Sequence, residues 1–118
     1  MKTAFKWAAW TCVLIIAVLS LLPSDEMMRT GADGHLEHAA AYAGTAFFFG
    51  LAYAAESRWA SIAGSLVTLA GTMELLQHFS PGRHPAFSDF AASSLGAMLG
   101  LAVAGLALRH ALRAQARG

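Results

Sequence analysis

The chain has a single cysteine, Cys12, among 118 residues. That excludes an internal disulfide and any cysteine-built metal or redox motif. Cys12 lies in an apolar run, where a thiol reads as a small core or lipid-facing side chain. Charge is scarce too: Asp, Glu, Lys and Arg make up 13% of the residues, against roughly 25% in soluble proteins. Prolines occur only at positions 23, 81 and 85, outside the apolar runs. No internal repeat, low-complexity segment or second domain is visible, so residues 1–118 read as one domain.

What is present is apolar. Hydrophobic residues make up 57% of the chain, more than a soluble domain of this length can bury. The expectation is an all-α integral membrane protein. About 20 apolar helical residues cross a bilayer core, and four stretches qualify: about Phe5–Leu22, His38–Ala55, Trp59–Phe79 and Phe90–Leu108. Backbone groups in lipid must be paired within their own segment, so the stretches are expected to be four transmembrane helices in a compact bundle. Lys2 and Lys6 before the first stretch resemble the start of a secretory signal. The residues after Ser20 show no small-x-small cleavage pattern, which favours a retained helix.

The cations set an expected orientation. Lys2, Lys6, Arg58, Arg109, Arg113 and Arg117 fall on one side of such a bundle, and Arg29 and Arg83 on the other. Both termini are therefore expected in the cytoplasm, with the protein multi-pass in its membrane. The connection near Glu56–Arg58 is short and predicts an antiparallel hairpin of the second and third helices. Ser88 is expected to cap the fourth helix, with Asp89 in its first turn. Ala92, Gly96, Gly100 and Ala104 recur every four residues, and Ala46, Gly50 and Ala54 form a shorter ladder. Such ladders let helix backbones approach closely. Packing within the bundle is the favoured use, and a homo-oligomer or partner-helix face is the other.

Polar residues gather at two span ends. Glu74 interrupts an apolar run that carries no other charge between Arg58 and Arg83. An ionisable group in a span normally faces a bundle interior or an aqueous cavity. Glu74, Gln77 and His78 stand at i, i+3 and i+4 and share a helix face. His38 and Tyr42 do the same, with His35 one turn earlier and Glu37 at a solvated helix start. Arg83 and Asp89 close the group from the loop and the fourth helix.

These residue types admit three chemistries. Arg83 suits a phosphate, because its guanidinium donates two hydrogen bonds at once. Glu74 or His38 suits general acid–base catalysis, with the other as its orienting partner. His35, His38, Glu74 and His78 supply nitrogen and oxygen donors that would suit a metal. The spacing alone does not select among them, and whether the protein is an enzyme stays open. Simpler roles are also available: an ion pair for Glu74, solvation for His35 and His84, interfacial packing for Tyr42, Trp10 and Trp59, and a topology anchor for Arg109, Arg113 and Arg117.

The elements Glu74-x-x-Gln77, Pro81-Gly82-Arg83, Ser88-Asp89, Gly96 and Gly100, preceded by Gly34-His35-Leu36-Glu37-His38 and Tyr42, resemble the VanZ-like family of small bacterial membrane proteins. The resemblance covers about residues 23–105. The family's first motif usually reads Asp-Lys-x-x-His, where this chain has Gly34 and His35 before His38. Its usual Asn, four residues after the Asp, is Ser93 here. The carried-over set is His38, Glu74, Gln77, Arg83 and Asp89.

The namesake of the family is associated with glycopeptide antibiotic resistance. The resemblance therefore implies handling of lipids or lipid-linked cell-envelope precursors at the outer face of the membrane. On that reading Arg83 holds phosphate, Glu74 and His38 form an acid–base pair, and Gln77, Asp89, His78 and Tyr42 complete a binding site. No cofactor and no nucleic acid are expected. The alternatives are a membrane transferase or hydrolase using Glu74 and His38, and an accessory subunit of a membrane complex.

Overall fold

A computed structural model of the chain describes residues 2–21, 34–53, 59–79 and 87–118. Within them are four α-helices: α1 Lys2–Leu21, α2 Gly34–Tyr53, α3 Trp59–Gln77 and α4 Phe87–Arg117. Two of them, α3 and α4, are long and apolar enough to cross a membrane.

α1, α2 and α4 begin before the apolar stretches that announced them, and α3 ends at Gln77, two residues short of its own. α4 runs nine residues past Leu108, through a segment that apart from His110 is Ala, Leu, Arg and Gln, all strong helix formers. α2 starts at Gly34, four residues before its apolar stretch. Apolarity marks where a helix meets a greasy environment, whereas propensity and capping mark where it ends. Ser88 lies inside the first turn of α4 rather than just before it. α3 closes with two tighter bonds, from His78 N to Leu75 O and from Phe79 N to Leu76 O, a common way to finish a helix.

Contacts between named residues give the directions. Phe5 stacks on Phe48 and Trp10 meets Phe49 edge-on, so the start of α1 lies beside the end of α2. α2 and α4 run parallel: Gly96 sits on Ala39, Gly100 on Ala43, and Ala104 beside Gly50. α3 runs against both, with Trp59 near Gly50 at one end and Gly71 near Phe90 at the other. The bundle therefore alternates up and down. Its two described termini, at Lys2 and Gly118, share one end.

The α2–α4 contact is the most extensive in the bundle, and the small-residue ladder makes it. A Cβ on Gly96 or Gly100 would collide with the backbone carbonyl of Ala39 or Ala43. Only glycine permits that approach. Gly96, Gly100 and Ala104 thus face the inside of this chain. The expected α2–α3 pair is antiparallel, but its contact is narrow.

The interior is built from small and polar side chains. Ala46, Ala70, Ala97 and Ala104 are buried, joined by Thr45, Gln77 and Ser93. The larger core members are Ile16, Tyr42, Ile62, Leu66 and Leu101. Many large apolar side chains point outward: Trp7, Leu14, Ile15, Val18, Leu75, Leu95, Leu99 and Leu106 among them. On the outer face of α3, Ser65, Thr68 and Thr72 each donate to the carbonyl four residues back, at 2.8 Å.

Candidate functional site

Parallel packing of α2 on α4 brings the starts of both helices to one end of the bundle. The Ala39–Gly96 approach lies next to His38 and one helical turn from Ser93. His38 Nδ1 stands 3.7 Å from Asp89 Oδ1, with both side chains mostly covered (24% and 20% exposed). That distance is too long for a hydrogen bond. It is short enough for a strong charge interaction once the imidazole is protonated.

One turn deeper on α2 is Tyr42, which is buried. Its hydroxyl lies within electrostatic reach of the Glu74 carboxylate on α3, so α3 delivers its acidic group to the same end. Glu74 Oε2 is shielded from solvent. Gln77, three residues on, is 3% exposed. The structure therefore draws His38, Tyr42, Glu74, Gln77 and Asp89 to the His38 end of three helices.

The other expected members are arranged differently. His78 is exposed, and its Nδ1 donates to the carbonyl of Glu74 on its own helix at 3.0 Å. A carbonyl only accepts, so that bond places a proton on Nδ1. Arg83 and His84 lie outside the described residues, as does the side chain of His35. Among the described residues, no group of three His, Cys, Asp or Glu is placed to hold a metal ion.

Three hydroxyls in the interior were not singled out from the sequence as site candidates. Ser93 stands one turn after Asp89 and is 2% exposed. Ser94 Oγ is buried with no hydrogen-bond partner among the described residues. Thr45, fully buried, donates to Ala41 O at 2.7 Å. A signal for two of them was available: 38, 42 and 45 are one stripe on α2, and 89 and 93 one stripe on α4.

The described cluster holds two carboxylates, one imidazole, one phenol, one amide and a buried serine. Such a set donates, accepts and relays protons. It carries more negative than positive charge, so a phosphate would need Arg83, a protonated His38 or both. Comparison with protein-family models, curated proteins and solved structures found no match.

Proposed function

We propose that the chain is a VanZ-like, multi-pass protein of the bacterial inner membrane. All four helices span the bilayer, with both termini in the cytoplasm. At its outer face it binds or processes an anionic lipid or a lipid-linked cell-envelope precursor. One observation carries this reading: a bundle that turns large apolar residues outward gathers His38, Tyr42, Glu74, Gln77 and Asp89 at a single end.

Two further observations support insertion in lipid. The helices of 19 or 20 residues are about 30 Å long, the thickness of a bilayer core. The hydroxyls on the outer face of α3 are bonded to their own backbone, which suits a surface without water. The cations support the orientation, because Lys6, Arg109, Arg113 and Arg117 stand at the end opposite the polar cluster.

In this reading Arg83 holds the phosphate. Asp89 orients His38 and stabilises its protonated form, and Glu74 with Tyr42 lines the deeper wall. If the protein is an enzyme, His38 and Glu74 are the acid–base groups of a transferase or hydrolase. If instead it is an accessory subunit, its partner helix must seat away from the ladder on α4, which α2 covers.

Native mass spectrometry tests the ligand, with wild type run beside Glu74→Gln and Arg83→Ala. At least one polyprenyl-phosphate or anionic phospholipid adduct present on wild type should be lost from both variants. Identical adducts on all three proteins would sink the headgroup site. Orientation is tested by maleimide labelling of Phe79→Cys and Arg113→Cys in a Cys12→Ala background. Phe79→Cys should label in intact cells and Arg113→Cys only after permeabilisation.

A further inference from the structure

His38 sits where the starts of α2 and α4 meet. Its Nδ1 faces Asp89 Oδ1 at 3.7 Å, and both side chains are mostly covered. One turn deeper on α2, Tyr42 lies within electrostatic reach of the Glu74 carboxylate, so α3 brings a second acid to the same end. Glu37, beside His38 in the chain, is a third. On α3, His78 turns its Nδ1 to its own backbone. α1 has no titratable side chain beyond Cys12. The cations Lys6, Arg109, Arg113 and Arg117 stand at the opposite end.

Protonation of His38 decides how this end meets an anion. A neutral imidazole has one N–H and one lone pair. With its proton on Nδ1, towards Asp89, it turns the lone pair of Nε2 outward, and that lone pair repels a phosphate oxygen. With its proton on Nε2, the lone pair of Nδ1 faces a carboxylate 3.7 Å away. Only the imidazolium donates in both directions. It also supplies positive charge among the acids. Imidazole is the side chain suited to exchange a proton between pH 5 and 8.

We infer that the site takes up a proton on His38 when it binds a phosphate-bearing headgroup, so that binding is tight in acid and weak in base. The inference rests on the headgroup reading of the proposed function and adds its regulation. By linkage, the proton and the headgroup strengthen each other equally, typically by roughly 5–150-fold. A partly exposed pair such as His38 and Asp89 belongs near the low end of that range, at about tenfold. Asp89 is a positioning residue in this scheme, because it acts on the ligand through His38. In the proposed orientation the proton is drawn from the outer side, so acid there loads the site and base empties it.

Calorimetric titration of the full-length protein in a neutral detergent, with dihexanoyl phosphatidylglycerol as the probe, tests it. A phosphodiester keeps its single negative charge across the range, so the probe does not titrate. Buffers of different ionisation enthalpy read the protons taken up, and the heat that Arg83→Ala abolishes belongs to the site. Wild type should bind about tenfold more tightly near pH 5.5 than near pH 8, with a maximal uptake of about half a proton per lipid, the value that a tenfold coupling gives. Protonation of Glu74 would also favour an anion in acid, so His38→Gln is the deciding variant. It should bind weakly at both pH values and take up no proton. Asp89→Asn should keep the acid-side affinity and move the loss to lower pH, by about half a unit.

Arg83-dependent binding that is equal at both pH values, or proton uptake that survives His38→Gln, overturns the inference and leaves the headgroup reading intact. An unshifted pH profile in Asp89→Asn overturns the part assigned to Asp89. If no Arg83-dependent heat appears at either pH, the headgroup reading fails and the inference with it.

Discussion

At the end of the bundle where α1 starts, Lys6, Trp10 and Tyr53 meet near the surface, and α4 continues outward through Arg109, Arg113 and Arg117. At the opposite end, polar groups turn inward: Tyr42, Gln77 and Ser93 are buried, and His38 faces Asp89. The first arrangement costs little, because amphipathic side chains keep their charged tips in water. The second is expensive, because every buried polar group must be satisfied by a neighbour or a ligand. Cheap polar groups anchor and orient a helix bundle. Costly ones persist where they have work to do.

That contrast depends on the α2–α4 contact, which carries both polar helix starts to one end. Breaking it should have the largest effect. Gly100→Leu places a side chain where the Ala43 carbonyl already lies, and overpacking of this kind costs about 1–3 kcal/mol or more. We expect loss of a monodisperse peak in detergent size-exclusion chromatography, with little protein recovered. Gly64→Leu is the control: it faces open space and should behave as wild type. A Gly100→Leu protein with normal melting would mean that α2 and α4 are not in contact.

Next in size is the effect of Asp89→Asn. The substitution keeps the shape of the side chain and removes the charge facing His38. Losing a charge that faces the imidazole without a hydrogen bond costs roughly 1 kcal/mol, about fivefold in ligand retention. Lipid adducts should be lost at concentrations where wild type keeps them, while the thermal midpoint stays within a few degrees. A variant that melts early yet keeps its lipid would recast Asp89 as a structural residue.

The sequence made the helices legible and their neighbours less so. Apolar stretches located all four helices, and Glu74, His38 and Asp89 stood out because charge is rare in them. The ladder on α4 pointed to close packing, but its partner helix was not readable, because small residues announce proximity without naming what approaches. The short connection drew α2 towards α3, whereas α2 packs mainly on α4. Arg83 and the side chain of His35 fall outside the described residues. Ser93 and Ser94 were not read as site candidates because small hydroxyl side chains are ordinary where membrane helices pack; the stripe shared with Asp89 was the signal for Ser93, and burial of its Oγ is what distinguishes Ser94.

Ser94→Ala sharpens the same contrast at smaller amplitude. A buried hydroxyl without a bonding partner costs about 1–3 kcal/mol, so its removal should raise stability by about 1 kcal/mol. If Ser94 Oγ is held ready for a ligand, the more stable variant should also retain less lipid. Differential scanning fluorimetry and adduct mass spectrometry on one preparation read both. A lower melting temperature would show that the hydroxyl already has a partner.

The smallest effect is expected on the outer face of α3. Thr68 is exposed, and its hydroxyl donates to Gly64 O at 2.8 Å. Thr68→Val keeps the β-branched shape, replaces the hydroxyl with a methyl group and gives up one weak local bond. In lipid the added methyl offsets that loss, so the change in stability should stay within about 0.5 kcal/mol, as for most surface substitutions. Thr45→Val makes the same chemical change in the fully buried interior, where the hydroxyl donates to Ala41 O. There the new methyl meets packed neighbours instead of fluid acyl chains, and overpacking should add about 1 kcal/mol to the cost. A midpoint comparison in one detergent separates the two positions. Equal losses would mean that the outer face of α3 is packed against protein, and the exposed hydroxyl stripe would then mark a contact rather than a lipid boundary.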